Sequence, residues 1–143
     1  MDERIKDHLQ YLNKYYLQLA DMRKLEQQAF SQDAVLHGAA ERFLQLAIES
    51  CLNIGNRIIA LYQFQKPLDS PQTYADIFLR LRDLDVIDQA LTDRLVTMAK
   101  FRNRLVHLYW EIDTNKIFEI IKDSLEDFKL FEKKIVEFLR AQD

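Results

Sequence analysis

Two glycines, two prolines and one cysteine in 143 residues leave the chain few places to turn sharply and no pair of thiols to oxidise. With 48% hydrophobic and 30% charged residues, that scarcity excludes a disordered or loop-rich chain and points to one compact helical domain over residues 1–143. Cys51 stands alone in an apolar stretch, so no internal disulfide can form and a reducing compartment is the expected setting. Gly38 and Gly55 cannot build a phosphate-cradling loop, which argues against ATP-driven chemistry within the chain. His8, His37 and His107 lie far apart, and no HExxH or CxxC is present, so neither a metal nor a cofactor is expected. Apolar runs such as Ile58 to Tyr62 fall far below the roughly 18 residues that cross a bilayer. Met1 is followed by Asp2, Glu3, Arg4 and Lys6, unlike a signal peptide, so the expectation is a cytoplasmic protein without membrane partners.

A net charge of −3 argues against nonspecific nucleic-acid binding. Its distribution is uneven. From Asp93 to His107 four cations (Arg94, Lys100, Arg102 and Arg104) face one carboxylate, whereas nine acids outnumber six bases from Glu111 to Asp143. An acidic body with one cationic spot suits a localised phosphate.

Ile5, Leu9, Leu12, Tyr16, Leu19 and Met22 recur at steps of three and four, which predicts a first helix of about 26 residues from Asp2. Asp33 caps a second, apolar helix over roughly Ala34 to Phe64, the expected centre of a bundle, in which Gly55 marks a close helix approach or a bend. Ser70 and Pro71 read as a start signal for a short third helix near Tyr74 to Arg82. A fourth begins around Asp88 or Thr92. Asp113 or Thr114 starts a last helix in which Ile117, Ile121, Ser124, Phe128, Phe131, Ile135 and Phe138 form one packing seam. The predicted fold class is all-α: an antiparallel bundle of four long helices and one short helix.

The fourth helix carries the segment richest in chemistry, Arg102-Asn103-Arg104-Leu105-Val106-His107-Leu108-Tyr109. Asn103 and His107 are four apart, about 40° from each other on the helical wheel, and the long Arg102 side chain can swing toward the same imidazole. Imidazole removes protons near neutral pH and guanidinium grips phosphate, a combination suited to phosphodiester cleavage. The plain alternative is that Arg102 and Arg104 cap carbonyls while His107 is a satisfied core histidine. On the second helix, Arg42, Gln45, Glu49, Asn53 and Asn56 form a polar stripe within about 60° of Arg42. That stripe either faces solvent or lines a polar cleft or subunit interface opposite the motif.

The string R-x4-H-x-Y, here Arg102, His107 and Tyr109, resembles the motif of HepT toxins, minimal members of the HEPN superfamily. The likeness extends to ERFLQLAIESCLNIGNRIIA, Glu41 to Ala60, and to Tyr74 through Phe78; Leu108 departs from it where many relatives have a small residue. The resemblance implies a toxin of a type VII toxin–antitoxin system, a metal-independent endoribonuclease whose two protomers share a cleft. Its partner would be a minimal nucleotidyltransferase (MNT) antitoxin that adenylylates Tyr109. His107 would act as base on a ribose 2′-hydroxyl, Arg102 would stabilise the transition state, and Asn103 would hold His107 or the phosphate. The products would be a 2′,3′-cyclic phosphate and a 5′-hydroxyl. Lys100, Arg104, Arg42, Gln45, Glu49 and Asn53 are the candidate RNA-binding and supporting residues. The substrate, transfer or messenger RNA, is left open. A competing reading is a noncatalytic nucleotide- or RNA-binding subunit of a nucleotidyltransferase, and a third is a purely structural helical protein.

Overall fold

A computed structural model describes residues 1–107 and 112–142. Seven helices follow in order: α1 (Glu3–Arg23), α2 (Gln27–Gln32), α3 (Ala34–Tyr62), α4 (Tyr74–Asp83), α5 (Gln89–His107), α6 (Thr114–Asp123) and α7 (Glu126–Gln142). Among the described residues there is no strand. The four long helices α1, α3, α5 and α7 make the bundle, and α3 touches every other helix. Its 29 residues present Leu44, Ile48, Cys51, Ile54 and Ile58 to the core, each at most 1% exposed. Burying such side chains stabilises the fold by roughly 1.5–3 kcal/mol each. Burial also pushes the Cys51 thiol well above its ordinary value, which keeps it protonated and unreactive.

Carboxylates and hydroxyls start the helices by accepting from otherwise unpaired amides. Asp2 Oδ1 accepts from the amides of Arg4 and Ile5 at 3.0 and 3.2 Å, while its other oxygen takes two hydrogen bonds from Arg57, tying the start of α1 to α3. Asp33 caps α3 through the Leu36 amide, Asp88 accepts from the Leu91 amide at 2.8 Å, and Asp113 caps α6. At α4 the cap is Thr73, which forms a reciprocal box with Asp76, and not Ser70; Pro71 lies two residues outside it.

Three boundaries differ from the sequence reading. The first helix ends at Arg23 because α2 follows as a separate turn of six residues, held by one buried side chain, Phe30, against Phe118. The second ends at Tyr62, leaving Phe64 90% exposed. The single last helix is two, because Ser124 caps the end of α6 and its carbonyl accepts from the Asp127 amide that opens α7.

Gly55 marks a close approach. A Cβ there would sit 2.6 Å from Ile77 Cγ2 and 3.2 Å from Leu81 Cδ1, so its absence lets α4 pack directly on α3. That contact brings the start of α4 over the polar stripe of α3.

Candidate functional site

Three elements meet at the site: the α3 stripe, the start of α4, and the last described turns of α5. Arg102 is the centre. Its Nε and Nη2 donate to Glu49 Oε1 at 3.1 and 2.7 Å, and Gln45 Nε2 donates to the same oxygen at 3.0 Å. The guanidinium carbon lies 4.8 Å from the centroid of the Tyr74 ring, adding a cation–π contact. Arg102 and Glu49 side chains are only 14% and 27% exposed, so solvent screens the pair weakly. Burial alone would raise the Glu49 carboxyl, but hydrogen bonds from Gln45 and Arg102 and the charges of Arg102 and Arg42 hold it below the ordinary glutamate value. Glu49 is therefore ionised and fixes the guanidinium in one orientation. Arg102 Nη1 makes no hydrogen bond among the described residues, which leaves one edge of the fork for an incoming oxyanion.

Asn103 and His107, one turn apart and both exposed, line an open groove of about 590 Å³ whose other wall is the Pro71 to Tyr74 segment, with Asn56 and Ile77. A recess of about 220 Å³ between Glu49, Asn53, Asn56, Tyr74 and Arg102 adjoins it. A third, of about 260 Å³, runs on past Asn53 and Asn56 to Arg4, His8 and Arg57. Asn56 lines all three, so the polar stripe forms the floor of one continuous trough.

The structure thus gathers Arg102, Asn103, His107, Glu49 and Asn53 along that trough, with Gln45 behind them on Glu49. It separates the other candidates. Arg42 is exposed and reaches the site only through its charge on Glu49. Lys100 and Arg104 line a different recess, with Arg94 and Lys116, on the other flank of α5. Tyr109 lies outside the described residues. The motif reading missed Tyr74, Gln72 and Thr73, because their role depends on α4 docking against Gly55, which spacing within α5 cannot reveal.

A helical bundle with an arginine, an asparagine and a histidine from one helix along an open polar trough is a HEPN-like domain. Residues 5–135 match the family model described as ribonuclease HepT-like, and the chain belongs to that family. The mRNA nuclease HepT of Shewanella oneidensis is 34% identical over 102 residues, covering 71% of this chain and 74% of that protein. The tRNA nuclease HepT of Aphanizomenon flos-aquae is 24% identical over 137 residues, 94% of this chain and 89% of that one. Among solved structures, a tri-AMPylated Shewanella oneidensis HEPN toxin in complex with an MNT antitoxin superposes with a TM-score of 0.85 at 27% identity, covering 96% and 99% of the two chains.

Proposed function

We propose that the chain is the ribonuclease toxin of a toxin–antitoxin pair, an endonuclease that cuts RNA without a metal. The observation that carries this reading is the clamped Arg102, one fork edge open, on the same turns of α5 as the exposed His107. His107 accepts the proton of a ribose 2′-hydroxyl, whose oxygen forms a bond to the adjacent phosphorus as the bond to the 5′-oxygen breaks. Arg102 Nη1 neutralises charge gathering on the phosphoryl oxygens, and Asn103 offers a neutral donor beside it. The departing 5′-oxygen takes a proton from an acid, which the His107 of a second copy supplies if two troughs face each other about a twofold axis. The ends are then a 2′,3′-cyclic phosphate and a 5′-hydroxyl. Similarity to nucleases named for mRNA and for tRNA supports RNA as substrate and leaves both classes as candidates.

The tri-AMPylated state of the Shewanella toxin in its complex with an MNT antitoxin supports neutralisation by adenylylation. The Tyr109 hydroxyl attacks the α-phosphorus of ATP held by an MNT-type partner, forming a Tyr–O–P bond and releasing pyrophosphate, and the added phosphates repel RNA. The deciding experiment incubates RNA with wild type, Arg102→Ala and His107→Ala in excess chelator. Wild type cuts and both variants lose at least about a hundredfold in rate with unchanged helical content. Intact RNA with wild-type protein would favour the noncatalytic binding subunit, and a His107→Ala protein cutting at the original rate would remove His107 from the chemistry.

A further inference from the structure

The second recess of α5 has no part in that mechanism. About 350 Å³ in volume, it lies between α5, α6 and α7, within the roughly 300–1,000 Å³ of small-ligand pockets. Its lining is of two kinds. Met98 and Phe101 on α5 and Ile120 on α6 make an apolar floor, and around it Arg94, Lys100, Arg104 and Lys116 stand against Asp127 alone. Asp127 is already taken by Arg94 Nε at 2.9 Å, and Lys116 reaches Glu119 only at 3.8 Å. Lys100 and Arg104 have no acidic partner among the described residues. Two unpaired cations, Lys100 and Arg104, beside two paired ones in a chain of net charge −3 are a local feature that the fold maintains against its own average. An apolar floor under a cationic rim fits a flat base carrying a phosphate.

Position along α5 links this recess to the trough. Lys100 and His107 are seven residues apart, about 20° on the wheel, and Arg104 lies between them with a rise of about 4.5 Å to His107. All three side chains are exposed, so the solvent edge of α5 is a ridge with His107 leading to the trough and Arg104 to the recess. We propose that the recess between α5, α6 and α7 is a nucleotide subsite that receives one nucleotide of the RNA chain beside the cut, its base against Met98, Phe101 and Ile120 and its phosphate on Arg104 and Lys116. This rests on the reading of the chain as a ribonuclease.

The test uses a fluorescein-labelled oligonucleotide with every 2′-hydroxyl methylated, which cannot be cut by 2′-oxygen attack, and follows binding to the full chain by anisotropy. Lys116→Glu removes a cation from the rim, and Thr97→Trp fills the recess without changing charge. Both positions are exposed helix residues, so the fold tolerates either change. Lys116→Glu should weaken binding and lower the slope of log affinity against log salt by about one or more. Thr97→Trp should weaken it at least fivefold, about the least that contact with one base contributes, and leave the slope unchanged. Free AMP should compete only at millimolar concentration. If both recess variants bind the oligonucleotide as wild type does, the subsite is refuted, and loss of copurification with the nucleotidyltransferase partner in those variants would assign the recess to a protein contact instead. AMP displacing the oligonucleotide at micromolar concentration would refute it in favour of a free-nucleotide site. The ribonuclease reading fails separately, in the chelator assay on wild type, which uses neither variant.

Discussion

Glu49→Gln changes one oxygen of the site to nitrogen and removes its charge while keeping its size, so it isolates what the carboxylate does for Arg102. In the native site Glu49 Oε1 accepts three hydrogen bonds, two from Arg102 and one from Gln45. An amide oxygen can accept them too, but without charge, and the new NH2 adds a donor to a cluster already rich in donors. Hydrogen bonds to charged groups are worth about 1.5–3 kcal/mol, and the 14% and 27% exposure of the pair brings the expected loss to the lower half of that range. For a domain of this size such a loss lowers Tm by about 3–6 °C at pH 7. The sign with pH follows from linkage. The folded Glu49 value lies below the unfolded one, so its stabilisation is complete above the unfolded value, near 4.3, and fades as pH falls through the folded value. The gap in Tm between wild type and Glu49→Gln should therefore be full at pH 7 and close toward pH 3. RNA cleavage by the variant should fall about tenfold or more, because an unclamped guanidinium spreads over rotamers that miss the phosphate. Equal melting at pH 7, or a gap undiminished at pH 3, would show that the Glu49 charge does not hold Arg102.

Gly55→Ala gains up to about 1 kcal/mol of helix propensity but forces a Cβ to within 2.6 Å of the buried Ile77, so we expect net destabilisation of about 1–2 kcal/mol in urea unfolding; a more stable variant would mean that α4 yields easily. Light scattering should return at least a dimer, because one trough supplies one His107 and in-line cleavage needs both a base and an acid; a monomer that still cuts RNA would defeat the shared cleft. Coexpression with the MNT-type partner and ATP should add AMP units of about 329 Da each to Tyr109, visible in intact mass, and Tyr109→Phe should escape neutralisation; a neutralised but unmodified toxin would show inhibition by binding alone.

The long helices α1 and α3 were legible because each buries a continuous stripe that repeats at helical period, as Ile5, Leu12 and Leu19 do on α1. The short ones were legible only when something besides period marked them. α4 followed a Pro-containing loop, whereas α2 offered a single anchor, Phe30, and one anchor has no period. The seam from Ile117 to Phe138 reads as one helix because α6 and α7 both turn their apolar faces to the same core. A break at Ser124 that preserves the inward face leaves that pattern nearly intact.

The site divides along the same line between what one helix encodes and what only packing creates. Asn103 and His107 share a groove because four residues on α5 bring them to one face, which spacing alone foretells. Glu49 and Arg102 sit on different helices, and the sequence suggested, as one of two alternatives, that the stripe faces the motif, without pairing these two residues. Tyr74 was invisible as part of the site, since nothing in its own segment says where α4 comes to rest. That placement is decided by the missing side chain at Gly55: Ile77 and Leu81 fill the space above α3, α4 settles there, and its first residue lands over the Arg102 guanidinium. The same packing explains the fate of Lys100 and Arg104. Arg104 lies within the motif and Lys100 just before it, but α6 and α7 close over their flank of α5 and make a second, cationic recess of them. A charge count along α5 sees one basic cluster, whereas the bundle divides it into a clamped arginine that can act on phosphate and a rim that can hold the rest of the chain.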